Sequence, residues 1–165
     1  MKSLFARLWK VLNFSKKIQI AIMHLFQDKF LVGVTGIIFN DQNEVLLFKH
    51  LYRAHAWSLP GGYLKGGEHP KEGLEREIKE ESGLVVSADS PLKTRTDRDA
   101  ARLDMCYTGI LIGGEFTPSH EVSEFGFFAQ DKLPLLRSNQ VFLIDTALQE
   151  RRPKFISHEL LSNIE

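Results

Sequence analysis

The chain has 165 residues, of which 43% are hydrophobic and 25% charged, as is typical of one soluble domain that buries its own core. Its 21 basic and 21 acidic residues balance, so no net field attracts nucleic acid and we predict no nucleic-acid partner. The single cysteine, Cys106, excludes an internal disulfide and a thiolate-rich zinc cluster. We therefore predict a cytoplasmic protein in which Cys106 is a buried structural thiol.

Residues 1–29 predict a helical extension in two pieces. Apolar residues recur at helical spacing at Leu4, Phe5, Leu8, Val11 and Leu12, and again at Ile18, Ile20, Ala21 and Leu25. Ser15 stands where it would cap the second piece. Five cationic residues precede the first acid, Asp28, and no uncharged run there approaches the roughly 20 apolar residues of a membrane span. This pattern favours packing on the main domain or on a second copy of the chain, which leaves a homodimer open. Contact between this basic helix and a membrane surface is the less favoured alternative.

From residue 30 onwards the pattern changes to strands. A hairpin is predicted over Leu31–Phe39 and Glu44–Lys49, joined by the turn residues 40–43. Further strands are predicted at 56–59, 84–86, 103–112 and 124–129, and helices at 70–82, 140–148 and 155–164. We therefore predict one α/β domain over residues 30–165, preceded by the N-terminal helical extension of residues 1–29.

The charged segment 70–82 carries three carboxylates on one face of its predicted helix. Glu77, Glu80 and Glu81 stand at positions i, i+3 and i+4. Like charges at this spacing destabilise a helix by about 0.2–0.5 kcal/mol per pair, so a counter-charge is expected. Arg76 is one candidate, and a hard divalent cation such as Mg²⁺ is another. A solvated acidic helix face is the competing interpretation.

The residues that flank this helix argue against a merely solvated face. Gly61–Gly62 and Gly66–Gly67 allow the backbone to approach a phosphate or a metal closely. Pro70 suits the first helical turn, and Gly83 suits a left-handed residue that ends the helix. The loop, the helix and its end are thus each specified by their own residues.

The whole segment resembles the Nudix box. Its constrained positions are all matched, at Gly62, Glu68, Arg76, Glu77, Ile78, Glu80, Glu81, Gly83 and Leu84. The sequence of residues 57–60 ahead of the box is also similar to the family, and the resemblance extends from about residue 32 to about residue 135. It implies an α/β/α sandwich around a mixed β-sheet, in which the box forms a loop, a helix and a second loop.

The resemblance also implies roles for individual residues. Mg²⁺, or alternatively Mn²⁺, would be bound by Glu77, Glu80, Glu81 and the Gly62 carbonyl, with Glu80 a further candidate for catalysis. Arg76 would hold the glutamates in place and Glu68 would brace the loop against the helix. The general base would be a box glutamate or a loop acid outside the box, of which Glu121 is favoured over Glu124.

Substrate contacts are predicted less directly. Arg53, with His50 and His55 nearby, could reach a distal phosphate, and Tyr63 is a further substrate-binding candidate. Arg95, Arg98 and Arg102, in a segment that also contains Asp97, Asp99 and Asp104, could likewise line the site, but a solvated, salt-bridged loop is the favoured interpretation. ADP-ribose pyrophosphatases of the family carry a proline about sixteen residues beyond the box, where this chain has Ala100.

The resemblance implies a hydrolase that acts on a small-molecule nucleotide. The first expectation is cleavage of the pyrophosphate bond of a nucleoside diphosphate linked to another moiety, such as a sugar, ADP-ribose-like group or alcohol. The alternative is a (deoxy)nucleoside triphosphate pyrophosphohydrolase. A catalytically silent nucleotide sensor is disfavoured because every box glutamate is present.

Overall fold

The computed structural model describes residues 15–52, 54–98 and 100–151. The first predicted helical piece, the predicted helix at 155–164 and Arg53 lie outside the described residues. The chain forms two compact units, Met1–Leu31 and Val32–Glu165.

Helix α1, Lys16–Phe26, is the described part of the N-terminal unit. Ser15 occupies its N-cap position as predicted, but the Ser15 side chain makes no capping hydrogen bond, so the capping prediction is wrong. None of the helix residues is buried, and Leu25 and Phe26 are 81% and 79% exposed. Within the described parts of the chain, every helix is too short or too polar to cross a membrane.

The second unit is built on a mixed sheet of seven strands with flanking helices. The strands are β1 Leu31–Phe39, β2 Val45–His50, β3 Trp57–Ser58, β4 Gly61–Tyr63, β5 Leu84–Asp97, β6 Arg102–Gly114 and β7 Val122–Phe128. Their order is β3-β2-β1-β6-β5, with β4 paired to β1 and β7 paired to β2. The predicted hairpin of β1 and β2 is confirmed, with Phe39 opposite Val45.

Both faces of this sheet are buried under helices. Helix α2, Pro70–Ser82, covers one face, and helix α3, Ser138–Arg151, covers the other. The α2 side of the core includes Val34, Ile38, Leu46, Phe48, Leu74 and Ile78. The α3 side includes Ile37, Phe39, Val45, Leu47, Leu143 and Ile144. Because side chains of a strand alternate between faces, the continuous apolar runs of β1 and β2 supply both cores, and the expected α/β/α sandwich is confirmed.

The hairpin of β5 and β6 is much longer than the sequence predicted. The prediction ended the first strand at residue 86, whereas β5 continues to Asp97 and pairs antiparallel with β6 along its length. Arg95 and Arg102 therefore lie on strands, so their assignment to a loop is wrong, although they form salt bridges as predicted. The outer half of the hairpin is polar and half-exposed, so it lacks the apolar alternation from which strands are predicted.

Candidate active site

Helix α2 begins and ends at the residues that the sequence predicted. Pro70 occupies the first turn, and Gly83 adopts a left-handed conformation with φ 74° and donates its backbone N–H to the Lys79 carbonyl at 2.9 Å. At the start, His69 Nδ1 accepts a hydrogen bond from the Lys71 backbone, and Glu72 accepts one from the His69 backbone. This capping box was not predicted, because histidine is a rare N-cap residue. It fixes the first turn of the helix that carries the three glutamates.

Arg76 lies at the centre of a network of carboxylates. Its Nε and Nη2 donate to the two oxygens of Glu68 at 2.6 and 3.0 Å. Its Nη1 donates to Glu77 Oε1 at 2.8 Å and to Glu80 Oε2 at 3.0 Å. The bidentate bond from Arg76, followed by the bond from the Lys65 backbone, lowers the pKa of Glu68 to about 2. One guanidinium group therefore binds the loop residue and two box glutamates together.

Gly62 is in close contact with Glu77. Gly62 lies on β4 opposite Val34 of β1, which holds its backbone beside helix α2. A Cβ added to Gly62 would overlap the carboxyl carbon and Oε2 of Glu77 and lie 2.7 Å from its Cγ. The strand and the carboxylate can approach this closely only because residue 62 has no side chain.

The box residues open onto a cleft of about 360 Å³, the carboxylate cleft. It is lined by Gly62, Tyr63, Glu77, Glu80, Glu81, Ser119, His120 and Glu121. Glu121, from the loop before β7, thus faces the same space as the three box glutamates. Glu124 instead lies on β7 and pairs with Lys49 Nζ of β2 at 2.8 Å.

The donor atoms of the carboxylate cleft suit a hard divalent cation. Lys65 and Arg76 lower the pKa of Glu80, so this carboxylate is ionised at neutral pH. Oxygen ligands of this kind are those that Mg²⁺ prefers. Within the described residues no three His, Cys, Asp or Glu side chains are gathered closely enough to hold a metal, and Arg76 engages one oxygen each of Glu77 and Glu80. The residues fit the cation by their chemistry, and binding requires the carboxylates to turn towards it.

A second cleft, the arginine cleft, shares Gly62 and Tyr63 with the first. Its volume is about 140 Å³, and its charged lining residues are Arg95, Arg102, Asp104 and Arg137. Asp104 Oδ2 accepts hydrogen bonds from Arg95 Nη2 and Arg102 Nη2, both at 3.1 Å. A hydrogen bond to Tyr63, together with the charge of Asp104, raises the pKa of Arg102.

The sequence interpretation missed two of these residues. Asp104 belongs to the pairing of β5 and β6, in which it stands opposite Arg95, and a longer predicted hairpin would have brought them together. Arg137 comes from the loop before α3, far away in sequence, and no local signal connects it to this cleft. Of the other predicted residues, Cys106 is buried, as expected, and burial raises the pKa of its thiol.

Residues 29–146 match the family model of the NUDIX domain, and the chain therefore belongs to the Nudix family. An ADP-ribose pyrophosphatase of Methanocaldococcus jannaschii is 38% identical over 111 residues, which cover 64% of this chain and 65% of that protein. A Bacillus subtilis relative is 30% identical over 110 residues, which cover 62% of this chain and 52% of that protein. The chain thus spans less than two thirds of the length of these curated relatives.

A solved structure supports the same assignment. The crystal structure of an ADP-ribose pyrophosphatase from Streptococcus suis superposes with a TM-score of 0.63 and is 28% identical, covering 76% of this chain and 95% of that one. These similarities confirm the fold and family that the box implied.

Proposed function

We propose that this protein hydrolyses the pyrophosphate bond of a nucleoside diphosphate linked to a second moiety. The observation that carries the proposal is the carboxylate cleft, where the Gly62 backbone, the three box glutamates and Glu121 surround one space. Two relatives named as ADP-ribose pyrophosphatases support this class of substrate, although Ala100 replaces the proline expected of that subfamily. Ala100 lies in the turn between β5 and β6.

Glu77, Glu80, Glu81 and the Gly62 carbonyl are the residues proposed to hold Mg²⁺, for which Mn²⁺ is the alternative. The bound cation would neutralise the diphosphate and lower the pKa of a bound water. Arg76 is proposed to orient Glu77 and Glu80, since it donates to both at 2.8 and 3.0 Å. Glu68 supports Arg76 in turn, through its two short hydrogen bonds.

Glu121 is the proposed general base. It lines the carboxylate cleft and would accept a proton from the water that attacks phosphorus. Glu124 is a weaker candidate because it lies on β7 and its carboxylate is paired with Lys49 of β2. Glu80 is weaker too, since Lys65 and Arg76 both donate to it and reduce its basicity.

The predictions about substrate contacts, cellular location and oligomeric state are also part of this proposal. Tyr63 is half-exposed between the two clefts, where a ring of the substrate could pack against it. The predicted contact with Arg53 remains a proposal, as do the cytoplasmic location and the possibility of a homodimer. A nucleoside triphosphate substrate is the alternative that the product analysis below would reveal.

The test is cleavage of a panel of nucleoside diphosphate derivatives and nucleoside triphosphates with Mg²⁺, with products resolved by chromatography. We expect two monophosphate products from a nucleoside diphosphate derivative, and no cleavage by Glu81→Gln. Glu121→Gln should lose turnover and keep nucleotide binding, whereas the matched variant Glu124→Gln should keep both. Pyrophosphate as product would instead assign a triphosphate substrate, and binding without any cleavage would favour a sensor.

A further inference from the structure

The arginine cleft has an excess of positive charge. Arg95, Arg102 and Arg137 line it, and among the described residues that do so Asp104 alone is acidic. A single oxygen of Asp104 accepts from both Arg95 and Arg102, so one carboxylate serves two guanidinium groups. Arg137 forms no ion pair with any residue in the described parts of the chain. The cleft therefore keeps two positive charges that its own acid does not neutralise.

The charges on the β5–β6 hairpin are partly withdrawn from water. The side chain of Asp104 is 10% exposed, and those of Arg95 and Arg102 are 23% and 31% exposed. Arg95 and Arg102 are thus partly buried and share one carboxylate, whereas Arg137 is exposed and can reach an anion that enters the cleft. Guanidinium groups present paired donors that match the oxygens of a carboxylate or a phosphate. The lining is thus better suited to an anion than to a neutral base or sugar.

The neighbouring elements do not cancel this charge. Helix α3 begins at Ser138, and its first-turn residues Asn139 and Gln140 line the cleft, so the positive end of the helix dipole adds to the excess. The cleft shares Arg95 and Arg102 with an outer groove of about 340 Å³ that also contains Arg98 and Asp97. In that groove Asp97 lies 3.8 Å from Arg102 Nη2 and partly neutralises it, while Arg98 adds a further positive charge, so the excess is not cancelled.

We propose that the arginine cleft is an anion subsite, and that the preferred substrate carries a carboxylate or phosphate on one of the two groups that its diphosphate links. This inference rests on the proposed function. The two clefts share Gly62 and Tyr63, so a diphosphate in the carboxylate cleft places one linked moiety at Tyr63 and next to the arginines. Arg137 then determines specificity by binding this group, without contact to the reacting atoms.

Matched substrate pairs test the subsite. UDP-glucuronate differs from UDP-glucose by a carboxylate in place of a hydroxymethyl group, and 2′-phospho-ADP-ribose differs from ADP-ribose by one phosphate. We expect kcat/KM to favour the anionic member of at least one pair about tenfold, the effect of one charge-assisted hydrogen bond. Arg137→Gln should reduce this ratio towards unity. Lys132→Gln, an exposed charge change outside the cleft, should leave it unaltered.

Binding measurements separate a failure of the subsite from a failure of the proposed function. Calorimetry with the same pairs measures affinity whether or not the compounds are cleaved. Tighter binding of an anionic member, lost in Arg137→Gln, would support the subsite even if nothing is hydrolysed. Equal affinity for both members of both pairs, or a preference that Arg137→Gln does not change, would overturn it. The first pair carries its extra anion on the sugar and the second on the nucleoside, so the pair that shows the preference indicates which of these two groups reaches the arginine cleft.

Discussion

Replacement of Gly62 by alanine is the sharpest test of how the fold positions the proposed metal ligands. The added methyl group would overlap the carboxyl group of Glu77 and lie 2.7 Å from its Cγ. Carbon atoms in contact are normally separated by about 3.5–4.0 Å, so the Glu77 side chain must move by about 1 Å. Gly62 has no positive φ and lies on a paired strand, so its backbone accepts alanine without strain.

The expected effect on turnover follows from this displacement. A misplacement of about 1 Å in a catalytic constellation can lower the rate about 10²-fold, so kcat of Gly62→Ala should fall by about that factor. The free energy of unfolding should change little, because the displaced atoms end a flexible side chain. Alanine in place of glycine also stabilises by about 0.4–1 kcal/mol through the unfolded chain, which offsets part of the repulsion.

Gly66→Ala is the matched control. A Cβ added to Gly66 has no heavy atom within 4 Å, although Gly66 lies in the turn directly after β4, the strand that contains Gly62. Steady-state kinetics and urea denaturation of both variants, at the same Mg²⁺ concentration, compare activity with stability. Wild-type turnover by Gly62→Ala would refute the proposed dependence of activity on the position of Glu77. An equal loss of activity in Gly66→Ala would refute it as well.

Three further changes test the surrounding structure. Ionised Glu68 stabilises the fold above its ordinary pKa of 4.5, and this contribution is lost as the pH falls towards about 2. Over this pH range, urea denaturation should therefore show a smaller loss of the free energy of unfolding for Glu68→Gln than for the wild type. Equal losses in the two proteins would contradict the lowered pKa of Glu68. Gly83→Ala should destabilise the protein by about 1–3 kcal/mol, because residue 83 has a φ of 74° and the added Cβ would overlap the Glu115 carbonyl. An unchanged Tm in thermal unfolding would contradict the left-handed conformation at the end of α2. Leu143→Ala should cost about 2–5 kcal/mol, since Leu143 is fully buried on the face of α3 that packs against the sheet, and a loss below about 1 kcal/mol would contradict this packing.

The elements that were predicted most accurately are specified by residues within or directly beside each element. Helix α2 runs from Pro70 to Ser82 as predicted, because a proline marks its first turn and Gly83 marks its end. The hairpin of β1 and β2 was equally clear, since apolar β-branched runs flank the turn at Asn40. In each case the determinants are local, so no knowledge of the rest of the fold was needed.

The parts that were missed depend on contacts between distant residues. Strand β4 contains two glycines and is held by β1, which no propensity of its own sequence indicates. The outer part of β5 is polar, and only its pairing with β6 makes it a strand. The arginine cleft needs that pairing and also Arg137 from the other end of the domain. Residue types could suggest these arginines, but only the fold brings them together.

Arg76 and a divalent cation were predicted as alternative counter-charges for the box glutamates, and the structure indicates how both can act. Arg76 Nη1 engages Oε1 of Glu77 and Oε2 of Glu80. The other oxygen of Glu77 faces Gly62, and the other oxygen of Glu80 contacts Lys65 Nζ at 3.3 Å. Each carboxylate thus has one oxygen for the arginine and one directed away from it. Because the Lys65–Glu80 pair is exposed, it holds that second oxygen only weakly, and a cation could replace Lys65 without displacing Arg76.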